Sequence, residues 1–168
     1  ISGVAIVNQL IFVFNLSIFG SLSGPSIYSA QYAGVGDDEG VKRCFRFKMI
    51  IGTLISVAAV LVFALFGENL IWLYLNEEVN TAETLAATLE QAKDYMYVML
   101  WGLPPFMLSQ AYGTTLRETG ETVVPMQASI ISIVTNCVLN YALIYGKFGA
   151  PAMGVTGAAI ATVIARYI

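Results

Sequence analysis

ISGVAIVNQLIFVFNLSIFGSLSGPSIYSAQYAGVG, Ile1 to Gly36, contains no Asp, Glu, Lys or Arg. A helix needs about 20 mainly apolar residues to cross a hydrocarbon core of about 30 Å, so this stretch is long enough to span a membrane. Four more charge-free runs follow, Met49–Gly67, Tyr95–Leu116, Thr122–Gly146 and Phe148–Ala165, and each meets or approaches that length. Across all 168 residues 57% are hydrophobic and 11% are charged, less than half the charge of an ordinary soluble chain, of which about a quarter is charged. A water-exposed surface cannot be built from so few charges. The expected fold is therefore all-α, a polytopic transmembrane helical bundle of about five spans.

The spans read as follows. The first, about Val4 to Ala33, is expected to be broken or bent near Gly20, Gly24 and Pro25, where proline removes a hydrogen bond and its ring clashes with the preceding turn. After a short loop, Gly34 to Gly40, a second span covers Val41 to Phe66. Glu68 to Leu75 continues it at the interface, where Trp72 and Tyr74 suit the headgroup level. Acidic residues then gather at Glu77, Glu78, Glu83, Glu90 and Asp94. The third span, roughly Glu90 to Leu116, holds Gly102, Pro104 and Pro105, and a kink is expected in its middle. RETGE, Arg117 to Glu121, reads as a tight polar turn. The fourth span is Val123 to Tyr145, and the connector Gly146 to Gly157 leads into the fifth.

Sidedness follows from the excess of Lys and Arg in cytoplasmic loops. One side holds Lys42, Arg43, Arg46, Lys48 and Arg117, and the other only Lys93 and Lys147. Loops 34–48 and 117–121 are expected to face the cytoplasm, with Ile1 outside. The chain begins without Met inside an apolar run and stops while the last run still looks helical, so it reads as a piece of a longer protein. There is no basic n-region of a cleavable signal peptide.

Several function classes find no support. No basic stripe suggests nucleic acid, and the charge-free runs hold no carboxylate, lysine or histidine to act as acid or base in a dry site. The sequence contains no His at all, which excludes imidazole catalysis and His-ligated metal from these residues. Cys44 and Cys137 lie in segments too different to suggest a disulfide.

Polar side chains inside spans are more informative, because in hydrocarbon they cost free energy unless partnered. Ser129, Ser132, Asn136 and Asn140 are spaced by three, four and four residues, which places them within about 80° on one helix face. Interhelical hydrogen bonding and a water-filled transport path or cation site both account for such a stripe. Asn8 and Asn15 share a face of the first span and admit the same two readings, packing or cavity lining. Gly154, Ala158, Ala161, Thr162 and Ala165 form a small-residue pattern suited to close helix approach, with Thr162 its one candidate ligand. Pro25, Pro104 and Pro105 are candidate kinks or hinges. Arg166 ends the last run either as a buried functional charge or as a snorkelling anchor.

Three segments together resemble the multidrug and toxic compound extrusion (MATE) family of cation-coupled antiporters. They are SAQYAGVGDDEGVKR (Ser29–Arg43), GLPPFMLSQAYGTTLRETGETVVPM (Gly102–Met126) and NCVLNYALIYGKFGAPAMGVTGAAIATVIAR (Asn136–Arg166). The resemblance implies a twelve-helix fold of two six-helix lobes. This chain would be an incomplete N-terminal lobe, helices two to five and the start of six, with the first helix and the C-terminal lobe absent. It also implies exchange of an amphipathic organic cation for Na⁺ or H⁺ across the plasma membrane by alternating access, with the lipid bilayer and the remainder of the chain as further partners and no cofactor. In one branch of the family the coupling ion is held by an Asp on helix one, an Asn-x-x-x-Asp pair on helix five and a Thr on helix six. The pair falls on Asn136 and Asn140, a Na⁺ site by resemblance, and Thr162 matches the last ligand. Asn140 stands where that branch has Asp; its amide oxygen can ligate Na⁺, but it cannot take up a proton. Proton coupling would need a carboxylate elsewhere.

Two other readings remain at this point. A lipid-linked precursor flippase of related fold would need basic residues lining a cavity, and none lies within the five runs. A non-transporting helical scaffold would use the polar stripes only for packing.

Overall fold

The computed structural model describes residues 2–74, 82–147, 151 and 153–168. Glu77 and Glu78 lie outside the described residues, as does part of the 146–157 connector. Six helices follow one another: α1 (Ser2–Gly34), α2 (Asp38–Tyr74), α3 (Ala82–Leu100), α4 (Leu103–Glu118), α5 (Val123–Tyr145) and α6 (Gly154–Tyr167). Three are long and apolar enough to cross a membrane on their own, over Val4–Gly34, Asp38–Trp72 and Val123–Tyr145.

Tight closures join the helices at one end of the bundle. Gly36 at φ 77° lets the Asp37 amide donate back to the Tyr32 carbonyl at 2.9 Å, and Gly120 at φ 91° lets the Glu121 amide reach the Leu116 carbonyl at 2.8 Å. Both are left-handed turns that glycine adopts without steric cost and that satisfy a helix's last carbonyls. Asp37 then opens α2, its Oδ1 accepting the Gly40 amide at 3.0 Å. The polar turn after α4 is shorter than RETGE suggests, since Arg117 and Glu118 are still helical.

The core is a stripe on α1, formed by Val7, Leu10, Ile11, Phe14, Ile18 and Leu22, packed against Phe63 and Ile71 of α2, Met96 and Met99 of α3, and Leu103 and Met107 of α4. The outward surface is apolar as well: Leu54, Leu61 and Leu65 of α2 are 64%, 55% and 73% exposed, and Ile130, Ile133 and Val138 of α5 are 53%, 63% and 54% exposed. So much exposed hydrocarbon is a liability in water and is the natural outer face of a bundle in lipid.

Two expectations change. The first span is not broken, because α1 runs helically through Gly20, Gly24 and Pro25. One lost hydrogen bond does not end a helix where lipid offers the backbone no other partner. The third span is more than kinked: helix stops at Leu100 and restarts at Leu103. Trp101 and Gly102 fold back with amides to Val98 and Met99 carbonyls at 3.2 and 2.9 Å, and Pro104 and Pro105 fall in the first turn of α4. There their missing N–H groups would be unpaired within the helix in any case, so two adjacent prolines favour a new start over a bent continuation. The two pieces still follow one track along α2, from Lys93–Glu68 at 2.7 Å in α3 to the Glu118–Lys48 pair in α4.

Sequence spacing does not mark that last pair. Lys48 is fully buried, with Nζ 2.6 Å from Glu118 Oε2 and 3.2 Å from Thr115 Oγ1. It joins the start of α2 to the end of α4, and so places loops 34–48 and 117–121 at the same end of the bundle. Breaking a buried pair by removing one charge costs about 3–5 kcal/mol, whereas replacing both with apolar groups is often neutral. Lys48→Met should therefore lower the unfolding midpoint of the purified full-length protein clearly. Lys48→Met with Glu118→Leu should restore most of it, and an equal loss in single and double variants would contradict this role.

Candidate functional site in the α5–α6 seam

α5 and α6 lie against each other as an antiparallel pair. Pro125 sits in the first turn of α5, where it displaces no helical hydrogen bond. The small-residue pattern of α6 does allow close approach, but through a different glycine. A Cβ on Gly157 would stand 2.8 Å from the Leu143 carbonyl oxygen, whereas Gly154, at φ 55°, has nothing within 4 Å. Gly157, Ala161 and Ala165 are buried in the seam.

Along this seam the polar stripe closes on α6. Ser132 Oγ donates to the Ala165 carbonyl at 2.5 Å. One turn on, Asn136 Nδ2 lies 3.5 Å from Thr162 Oγ1, and Thr162 Oγ1 donates to the Ala158 carbonyl at 2.9 Å. Asn140 Nδ2 donates to Asn136 Oδ1 at 2.8 Å. The donors run in one direction along this chain, from Asn140 to Asn136 to Thr162 to backbone. Its far end is the Asn140 Oδ1, which is buried and accepts nothing. An unpaired buried acceptor is costly; here it belongs to the same amide whose Nδ2 donates to Asn136 Oδ1. Neutral oxygen donors of this kind suit a hard cation, as unwound carbonyls do in membrane transporters, or a ligand N–H. Among the described residues no group of His, Cys, Asp and Glu could hold a metal ion.

The other expected residues are distributed more widely. Ser129, whose hydroxyl bonds to the Pro125 carbonyl at 2.8 Å, is exposed. Together with Ser132, Pro104 and Pro105 it lines an open groove of about 690 Å³ between α4 and the α5–α6 pair. Asn8 and Asn15 lie on α1, outside that groove. Asn8 Oδ1 accepts the Tyr95 hydroxyl at 3.2 Å, tying α1 to α3, and Asn15 Oδ1 is buried without a partner. Both cysteines are free.

Arginine supplies what sequence reasoning underweighted. Arg117 and Arg166 both line the groove, because it extends past the charge-free runs to the charged residues that follow them. Arg166 is half-buried, donates to the Gly102 carbonyl at 3.1 Å and stands 5.1 Å above the Phe106 ring. It is therefore turned inward on the α3–α4 break and does not snorkel.

An all-helical bundle with a lipid-like exterior and a seam of neutral polar groups between two closely packed helices is an integral membrane protein. The chain belongs to the MatE family, whose model matches residues 1–142, a range that includes Asn136 and Asn140. It is similar to a probable multidrug resistance protein NorM of Thermotoga maritima, 29% identical over 99% of this chain and 34% of that protein. It is also similar to the probable multidrug resistance protein YoeA of Bacillus subtilis, 32% identical over 98% of the chain and 34% of that protein. The multidrug resistance protein MdtK of Pectobacterium atrosepticum is 30% identical over 83% of the chain and 29% of that protein. The chain thus spans about a third of the length of these curated relatives. No solved structure matches it.

The seam geometry carries a stability consequence. Gly157→Ala should push α5 and α6 apart and lower stability by about 1–3 kcal/mol, the usual cost of overpacking, read as a lower unfolding midpoint of the full-length protein in detergent. Gly157→Ala with an unchanged midpoint would mean that the seam is looser than described.

Proposed function

We propose that the protein of which this chain is a part is a secondary antiporter that exports amphipathic organic cations or drugs in exchange for Na⁺ or H⁺. Membership of the MatE family, with relatives named as multidrug resistance proteins, supports the export reading. The single structural observation that carries the site is the hydrogen-bonded run Asn140–Asn136–Thr162, ending in an unpaired buried oxygen. In this reading the chain is an incomplete N-terminal six-helix lobe in the plasma membrane, with loops 34–48 and 117–121 cytoplasmic. The α3–α4 track serves as one interrupted span and α6 as the start of another.

The mechanism follows from charge. Asn136, Asn140 and Thr162 offer oxygens without a titrating proton, so this seam can hold a Na⁺ or a substrate ammonium but cannot itself carry a proton near neutral pH. Binding replaces the missing partner of Asn140 and favours whichever packing of α5 on α6 brings the three oxygens together. Release to the other side then requires the lobe to open in the opposite direction. No residue is assigned a catalytic role, and no cofactor is needed.

One observation favours a second reading. A groove lined by Arg117 and Arg166 suits an anionic head group better than a cation, as a lipid-linked precursor flippase would need. Vesicles containing the full-length protein should distinguish the two, since only an exporter of cations moves a fluorescent organic cation against its gradient. A purely structural scaffold would move neither kind of substrate.

Asn136→Leu and Asn140→Leu should each cut efflux at least severalfold while membrane abundance stays at the unsubstituted level. Full activity in both variants would rule out the seam as the site.

A further inference from the structure

Pro104 and Pro105 have no N–H to offer the carbonyls four residues back, Leu100 and Trp101. At membrane depth a carbonyl released in this way needs a partner from within the protein. For Trp101 a partner comes from α6. Tyr167 Oη donates to the Trp101 carbonyl at 3.2 Å, and Arg166 donates to the neighbouring Gly102 carbonyl at 3.1 Å. Gly102 O already accepts the Phe106 amide at 3.3 Å, so the guanidinium adds a second donor at the first carbonyl of the new helix. The cation also stands over the Phe106 ring at 5.1 Å. Side-chain contact with Gly102 is close, with Arg166 Cδ 3.2 Å from where a Cβ would be.

The same helix segment, one turn back, holds part of the polar seam. Thr162 and Arg166 are four residues apart, one helical turn, and the Ala165 carbonyl between them accepts Ser132 Oγ. The last turns of α6 are thus bonded to the α5 stripe through Thr162 and Ala165, and to the α3–α4 break through Arg166 and Tyr167.

We infer that Arg166 and Tyr167 are positioning residues that tie the helix break at Trp101–Gly102 to the α5–α6 seam, so that α6 and the break move as one unit when the seam is filled or emptied. The inference rests on the proposed function for its transport consequence, while its structural half stands alone. Pro105 alone denies the Trp101 carbonyl its helical amide, so the Tyr167 bond matters most while that proline is present. Pro105→Ala supplies the missing N–H and makes the hydroxyl redundant.

The test is a double-mutant cycle on the full-length protein in detergent and in vesicles. Tyr167→Phe should lower the thermal unfolding midpoint by about a degree, and should lower it no further when Pro105→Ala is already present. Equal and additive effects in both backgrounds would overturn the tie. In vesicles, Arg166→Gln should reduce maximal efflux severalfold with half-saturating substrate concentration unchanged, and Arg166→Lys should recover part of the rate. A change in half-saturation alone would make Arg166 a substrate contact and overturn its positioning role. If the unsubstituted protein moves no organic cation, the export reading fails, and the unfolding cycle still decides the tie.

Discussion

In hydrocarbon a polar group has no solvent to fall back on, so each one must find its partner inside the protein. Most features of this chain follow from that constraint. Long charge-free segments become helices because only a helix satisfies a spanning backbone from within. α1 carries Pro25 without stopping, since stopping would release several backbone groups in place of one. At Pro104–Pro105, where two amides are missing in succession, the chain does stop, and Tyr167 and Arg166 of α6 supply donors to the carbonyls at the break. Lys48, fully buried, is held by Glu118, Thr114 and Thr115.

The same rule separates what was legible in the sequence from what was not. The bounds of α5, Val123 to Tyr145, match the reading from charge and turn residues, because a polar turn on one side and Gly146 on the other leave no other place for the helix to end. The spacing of Ser132, Asn136 and Asn140 placed them on one face, and that face meets Thr162. By contrast, the break at Trp101–Gly102 depends on whether two prolines fall within a helix or at the start of one, and composition cannot distinguish those cases. The Lys48–Glu118 pair joins residues seventy positions apart, and so depends on the register of α4 on α2. Gly154 and Gly157 both fit the small-residue pattern, and only the crossing point of the helices selects Gly157.

For function, the informative property of the seam is its neutrality. A carboxylate at position 140 would provide both charge and a proton site; asparagine provides an oxygen alone. Any ligation by these residues would therefore be without titration, and a proton-driven cycle would draw its titrating group from another part of the protein. The arginines of the α4 groove impose a second condition. A cation entering by that route passes two guanidinium groups, whereas the α5–α6 seam has none among its oxygens. The seam thus suits a positive ligand better than the larger groove does.

Whether the α5 stripe faces water or only packs is the question on which the account depends, and thiol accessibility addresses it directly. In full-length protein in which Cys44 and Cys137 have been replaced, Asn140→Cys should react with a membrane-impermeant, water-soluble thiol reagent, and transported substrate should slow that reaction. Val138→Cys, on the exposed apolar side of the same helix, should stay inert. If Asn140→Cys proves as unreactive as Val138→Cys in every transport condition, the seam is packing alone and the account is contradicted.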